Sequence, residues 1–114
     1  MLKSPKAKGS SLERQFVEMI KDAGMDQYAR RSIMSGAAFE KGDVKTILPF
    51  SFECKFYQKL AIYKFWEQAL RDSSATKLPT LVLKANNKPI LVCMEANDWL
   101  ELLTYAIAGN YLKK

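Results

Sequence analysis

Three charged side chains near the middle of the chain have the types and spacing for phosphate chemistry. Glu53 and Lys55 stand two apart in FSFECKFY (50–57), a stretch that alternates as β-strands do. Side chains at i and i+2 of a strand share one face, about 6.6 Å apart, so the two are expected to share a site, with Cys54 on the other face. Asp43 begins the preceding strand, and a hairpin would place it beside Glu53.

Two converging carboxylates, Asp43 and Glu53, repel one another unless a cation lies between them. Mg²⁺ suits such a site because it takes a few protein oxygens and keeps waters or phosphate oxygens for its other positions. The ion would lower the pKa of a bound water and neutralise charge on the phosphate. Lys55 would position or deprotonate the attacking water, or stabilise the phosphorane oxygens. The pattern therefore predicts a metal-dependent phosphodiesterase site.

Each of these residues also has an ordinary structural explanation. Gly-Asp is typical of turns, so Asp43 could simply end one. Glu53 and Lys55 could form a pair on a solvated sheet face. Glu13 lies three residues after Ser10, which is the spacing of a helix capping box. The hypothesis of a site depends on the combination rather than on any one residue.

Composition and charge limit the classes of function. The chain has 114 residues, a formal charge of +6 and no histidine, which removes most zinc sites and all chemistry that needs a histidine base. Residues 1–64 hold 12 basic and 7 acidic side chains (+5), whereas residues 65–114 hold 6 and 5 (+1). A basic surface favours a polyanionic partner, usually nucleic acid, although it could serve solubility alone. The two cysteines lie in apolar segments and are expected to be free thiols.

Hydrophobic periodicity predicts a helix, three strands, a second helix, two strands and a third helix. We expect a flexible basic arm over residues 1–9 and a single domain over residues 10–114. The first helix is expected to be capped by Ser10 or Ser11 and to end at Gly24, and a strand is expected over 27–34. The third helix is expected to be capped by Asn97 or Asp98. This order predicts an α/β fold with a central mixed sheet of about five strands flanked by helices.

The same residues resemble a known signature. Asp43 followed by Glu53-Cys54-Lys55 is similar to the D…(D/E)xK motif of the PD-(D/E)xK nuclease superfamily. The segments KGSSLERQFVEMIKDAG, YARRSIMSGA, GDV and FECK follow the order of parts in archaeal and phage-type Holliday junction resolvases. The likeness covers about residues 8 to 72. One departure is Gly42, which stands where the proline of the superfamily name would be.

The resemblance implies a restriction-endonuclease-like core, Mg²⁺ or Mn²⁺ as cofactor, and a homodimer that cuts branched DNA. It implies that Glu13, early in the first helix, is a metal ligand with Asp43 and Glu53, or orients one. It also implies an active-site role for Gln68, whose alternative is an exposed helix glutamine. The catalytic residues are then predicted to be Glu13, Asp43, Glu53, Lys55 and Gln68.

The function expected from these features is symmetric resolution of four-way DNA junctions in recombination or repair. Basic side chains around the site are expected to bind DNA, and these are Lys6, Lys8, Arg14, Arg30, Arg31, Lys41 and Lys45. No small-molecule cofactor and no membrane contact are expected, and the location is expected to be the cytoplasm, that of a host cell if the chain is viral. Two alternatives stay open: a nuclease of the same superfamily acting on flaps, ends or duplex, and a non-catalytic nucleic-acid-binding module.

Overall fold

The computed structural model describes residues 4–32 and 42–109. The elements follow in the predicted order: α1 (Pro5–Asp22), β1 (Arg30–Arg31), β2 (Val44–Lys45), β3 (Phe50–Phe56), α2 (Ile62–Arg71), β4 (Leu78–Lys84), β5 (Leu91–Cys93) and α3 (Ala96–Ala108). The α/β class and the five-stranded mixed sheet flanked by helices are therefore confirmed.

The five strands lie side by side in chain order, β1-β2-β3-β4-β5. The pair β3 and β4 is parallel, and the other neighbours are antiparallel. Helix α2 makes the crossover that a parallel pair requires. The long parallel pair forms the centre of the sheet, and β1 and β5 are its edges.

Alternation along β3 separates the two faces of the sheet. Phe52 and Cys54 pack with Leu12, Phe16 and other apolar residues on the side covered by α1. On the opposite side, Leu81 and Leu83 of β4 pack with α2, and they lie in register with Glu53 and Lys55. The two charged residues of β3 thus face α2, as the period of two requires.

Helix α1 begins earlier than the sequence predicts. Ser4 is the N-cap, and its hydroxyl accepts a hydrogen bond from the Ala7 amide at 3.2 Å. Residues 5–9, which were expected to belong to a flexible arm, lie in this helix, so the predicted start of α1 after a cap at Ser10 or Ser11 is corrected to Pro5. Ser10 lies inside the helix, and it cannot form the capping box with Glu13.

Two further local predictions need correction. The strand expected over 27–34 is confined to Arg30–Arg31 within the described residues. Helix α3 is capped by the side chain of Glu95, which accepts from the Asn97 amide, rather than by Asn97 or Asp98. Within the part of the chain that the structure describes, no helix is both long and apolar enough to cross a membrane.

The turn before β2 explains why glycine replaces proline there. Gly42 has φ of +77°, which proline cannot adopt because its ring holds φ near −65°. A Cβ at this position would lie 3.2 Å from the Phe52 carbonyl oxygen and from the Ser51 hydroxyl. Gly42 therefore lets the chain approach β3 closely and enter the hairpin at Asp43.

We expect Gly42→Ala to lower the free energy of unfolding by about 1–2 kcal/mol, because a left-handed conformation strains an L-residue and the new methyl group meets backbone. Urea unfolding measures this. Gly24→Ala is the matched control, since Gly24 also has positive φ but open space around it, and it should cost less. A Gly42→Ala protein as stable as the wild type would contradict the role given to this turn.

Candidate active site

The backbone of Asp43 is held on both sides by neighbouring strands. Its amide donates to the Phe52 carbonyl at 2.7 Å, and its carbonyl accepts from the Ser32 amide at 3.0 Å. The side chain is held as well, since the Cys54 amide donates to Asp43 Oδ2 at 2.8 Å. The predicted hairpin is thus confirmed, with Val44 opposite Phe52, and it brings the Asp43 carboxylate to β3.

Glu53 and Lys55 lie together on β3, as their spacing predicts. Lys55 Nζ is 3.5 Å from Glu53 Oε1, and both side chains are largely buried. Lys55 Nζ also lies 5.5 Å from the centre of the Phe65 ring, on α2. Because the Lys55 side chain is little exposed to solvent, its ammonium stays beside the Glu53 carboxylate.

Gln68 of α2 joins this pair. Its Oε1 accepts from Lys55 Nζ at 2.6 Å, and its Nε2 donates to Glu53 Oε1 at 3.3 Å. The structure therefore places Gln68 in contact with both β3 residues, and the alternative of an exposed helix glutamine does not describe its position. Its role in a reaction stays a prediction.

Both carboxyl groups of the site have raised pKa values. Burial, followed by the negative charge of Asp43, raises the pKa of Glu53 to about 7, against the attraction of Lys55. Burial also raises the pKa of Asp43, although the Cys54 amide, Lys55 and hydrogen bonding with Glu53 act in the opposite direction. The positive charge of Lys55 does not offset the effects that raise the pKa of the two carboxyl groups. A bound cation would therefore stabilise their charged forms.

Glu13 lies at the margin of this group and has its own partner. Arg31 Nε donates to Glu13 Oε1 at 2.9 Å, and Arg31 Nη2 donates to the Ser10 hydroxyl at 3.1 Å. Burial raises the pKa of the Glu13 carboxyl, the hydrogen bond from Arg31 lowers it, and the charge of Asp43 raises it further. Glu13 is therefore close enough to Asp43 for the charge of Asp43 to raise its pKa, while its hydrogen-bonded cation is Arg31.

The basic residues expected to bind DNA occupy different places. Lys6 and Arg14 line an open cavity of about 440 Å³ along α1, together with Ser4, Ala7, Ser10 and Ser11. Lys8 Nζ lies 5.5 Å from the centre of the Phe56 ring. Arg30 is exposed on the edge strand and Lys45 is half-buried on β2. Lys41 lies outside the described residues.

Two contacts of the site were missed from the sequence. Asp72, which follows α2, accepts from Gln68 Nε2 at 3.5 Å, and its charge raises the pKa of both Asp43 and Glu53. The sequence spacing could have predicted the contact between Gln68 and Asp72, because residues four apart lie on one face of a helix. Phe65 of α2 stacks with Tyr57, with their ring centres 5.1 Å apart, and lies beside Lys55.

The arrangement of Asp43, Glu53 and Lys55 on adjacent strands is the geometry of the D…ExK motif. The family described as "Phage putative PDDEXK endonuclease" matches residues 4–111. The chain belongs to this family. The match spans all three residues, Gln68 and the described helices and strands, so it covers the C-terminal third as well, where no motif was found. No curated protein and no solved structure matches the chain.

PDDEXK nucleases generally use divalent metal ions, and the donor set here fits one. Asp43 and Glu53 supply hard carboxylate oxygens with raised pKa values. Within residues 4–32 and 42–109, no cluster of three or more His, Cys, Asp or Glu side chains converges tightly enough to enclose a metal. Two carboxylates would leave the remaining coordination positions of a divalent ion to water or phosphate oxygens.

The raised pKa of Glu53 predicts a pH dependence of stability in the metal-free protein. The Glu53 carboxyl group contributes fully to the free energy of unfolding below its ordinary pKa of 4.5. This contribution is lost as the pH rises through about 7, the pKa of Glu53 in the folded protein. In EDTA, Glu53→Gln should therefore gain stability relative to the wild type as pH rises from 4.5 to 8, on the order of 1–3 kcal/mol. Urea unfolding at several pH values measures the difference. The control is Glu67→Gln, at an exposed position of α2, which should leave the pH dependence of stability as it is in the wild type. A stability difference between Glu53→Gln and the wild type that does not change with pH would contradict the raised pKa of Glu53.

Proposed function

We propose that this chain is a divalent-metal-dependent, structure-selective DNA endonuclease that resolves four-way (Holliday) junctions. The observation that carries the proposal is the convergence of Asp43, Glu53 and Lys55, with Gln68, in one half-buried site of a chain that belongs to an endonuclease family. Such an activity serves DNA recombination or repair in the cytoplasm, that of a host cell if the chain is viral.

In this proposal the side chains have separate tasks. Asp43 and Glu53 would hold the divalent ion, Mg²⁺ or Mn²⁺, which would lower the pKa of a bound water and neutralise charge on the phosphate. Lys55 orients the attacking water or stabilises the charge that develops on the phosphate oxygens. Gln68 fixes the Lys55 ammonium through the 2.6 Å hydrogen bond, and Arg31 orients Glu13 toward Asp43.

The DNA backbone is proposed to follow α1 away from the site. Lys6, Ser10 and Arg14 line the cavity along this helix. Arg31 donates hydrogen bonds to Ser10 and to Glu13. Phosphate contacts of this kind position a duplex arm without reading its sequence. Specificity would then come from the shape of the branch and the placement of its phosphates.

A second copy of the chain is the proposed protein partner, and it would bind the surface formed by β5 and α3. This β5–α3 surface comprises the half-exposed residues Leu91, Val92, Trp99 and Leu100 and the more exposed Tyr105. Strand β5 pairs only with β4 among the described strands, and none of the 13 residues of α3 is buried. An open edge strand beside an uncovered apolar helix is suited to two-fold pairing.

Charge and area favour a second copy over DNA at this surface. From residue 91 to residue 109 the chain has no Lys or Arg and three acids, Glu95, Asp98 and Glu101, so phosphates are repelled. Trp99 and Tyr105 are 53% and 65% exposed, which at about 150–250 Å² per aromatic side chain leaves on the order of 200 Å² uncovered. Leu91, Val92 and Leu100 enlarge this apolar area toward the size of a protein interface, which buries roughly 800 Å² per partner.

We expect the chain to nick an immobile four-way junction at two symmetry-related positions with Mg²⁺ and not with EDTA. Asp43→Asn, Glu53→Gln and Lys55→Ala should each lower the rate by about 100-fold or more, while junction binding stays within about threefold. The two acid variants would weaken the hold on the ion, and the lysine variant removes the positive charge beside the phosphate. Gel assays of cleavage and of mobility measure the two properties separately.

A flap and a duplex of the same sequences are the controls for substrate. Metal-dependent cutting of these in place of the junction would keep the site and discard the junction. Tight binding with no cutting of any substrate would favour the non-catalytic binding module. Lys59→Ala, at an exposed lysine after β3, is the matched control for loss of one positive charge and should cut normally.

The dimer proposal predicts a mass of two 13.0 kDa chains by light scattering at micromolar concentration. Trp99→Glu should weaken the dimer by at least about 30-fold, since it places a charge at a candidate aromatic anchor, and it should turn paired nicks into single ones. Tyr28→Glu is the control, because Tyr28 is 80% exposed and precedes the opposite edge strand, β1. A monomeric wild type, or a Trp99→Glu protein that dimerises as well as Tyr28→Glu, would contradict the β5–α3 interface.

A further inference from the structure

The amide of Gln68 lies between a cation and two carboxylates. Its Oε1 accepts from Lys55 Nζ, and its Nε2 faces Glu53 Oε1 at 3.3 Å and Asp72 Oδ2 at 3.5 Å. An ammonium only donates and a carboxylate only accepts. Only one orientation of the amide therefore satisfies all three neighbours, and a flipped amide would turn its NH₂ group toward Lys55.

The position of Asp72 is unfavourable for stability. Asp72 is the C-cap of α2, where the partial negative charge of the helix end disfavours an anion. Its carboxylate also acts on Asp43 and Glu53 with a charge of the same sign. A side chain that opposes both the helix end and its neighbours is expected where function rather than stability selects it.

We propose that Asp72 is a positioning residue, whose Oδ2 holds the Gln68 amide in the orientation that presents Oε1 to Lys55. Gln68 then holds the ammonium beside Glu53, where it serves the reaction. The catalytic consequence rests on the proposed function, whereas the contact itself is independent of it. In this role Asp72 contacts neither the substrate nor the metal ion.

Loss of the Asp72 acceptor would change the freedom of the amide. Of the two carboxylates that face Nε2, only Glu53 would remain, and in the proposed function Glu53 also holds the divalent ion. The amide could then rotate, and Lys55 would lose its shortest contact. A misplaced ammonium is expected to slow the chemical step and to leave junction binding unchanged, because the Lys55 side chain is only 12% exposed.

Three variants separate the acceptor from the charge. Asp72→Ala removes both, and Asp72→Asn removes the charge but keeps an oxygen that accepts from Nε2. Glu67→Ala removes one exposed negative charge from the same helix and is the matched control. Thermal unfolding should show Asp72→Asn to be more stable than the wild type, because the unfavourable anion at the helix end is gone.

The contact is measured by NMR of the Gln68 side-chain amide in the metal-free protein, with Gln68→Ala assigning its signals. We expect Asp72→Ala to shift these signals and to speed their exchange with solvent, and Asp72→Asn and Glu67→Ala to leave them close to those of the wild type. Unchanged Gln68 signals in a folded Asp72→Ala protein would overturn the proposal, whatever the enzyme cuts.

Cleavage of the four-way junction measures the consequence. Asp72→Ala should lower kcat about 10- to 100-fold, as loss of an outer partner of a metal site does, with KM unchanged and Asp72→Asn within about threefold of the wild type. In a Gln68→Ala background, Asp72→Ala should cause no further loss. Equal losses in Asp72→Asn and Asp72→Ala, or a loss that multiplies with that of Gln68→Ala, would overturn the positioning role. A wild type that cuts nothing would refute the proposed function, while the NMR result would still decide the contact.

Discussion

The site depends on holding two carboxylates together against their mutual repulsion. Asp43 and Glu53 converge because the hairpin is fixed by backbone hydrogen bonds, from the Asp43 amide to Phe52 and from the Cys54 amide to Asp43 Oδ2. The cost of convergence appears in the pKa of Glu53, which burial and then the negative charge of Asp43 raise to about 7. Gly42 and the packing of β3 between two layers of side chains are what keep this arrangement in place, and a cation is what relieves it.

A glutamine is suited to the space between such a pair and its lysine. An amide accepts at one end and donates at the other, so Gln68 satisfies Lys55 and Glu53 together without adding charge. A carboxylate at residue 68 would bind Lys55 but add to the repulsion, and a second ammonium would bind Glu53 but repel Lys55. The neutral side chain therefore keeps the charge of the site available for the ion and the phosphate.

The sequence predicted the parts of the site that local periodicity controls. The alternation of β3 was enough to place Glu53 and Lys55 on one face, and the hairpin was enough to bring in Asp43. The start of α1 was mispredicted because Ser4-Pro5 and Ser10 are both acceptable helix starts. The partner of Glu13 could not be found because Arg31 lies eighteen residues away, at a distance in the chain where no helical or strand period applies.

The C-terminal third shows a different limit of sequence reasoning. The apolar residues of α3 and the pair Leu91 and Val92 have the pattern of buried elements, yet all lie at least partly exposed among the described residues. A hydrophobic pattern predicts that a surface is buried, but it does not indicate whether the same chain or a partner buries it. In this fold the charged site lies on β3, in the middle of the sheet and against α2, whereas the uncovered apolar surface lies at the β5 edge. The proposed pairing through β5 and α3 would therefore cover that surface without using any residue of the charged site.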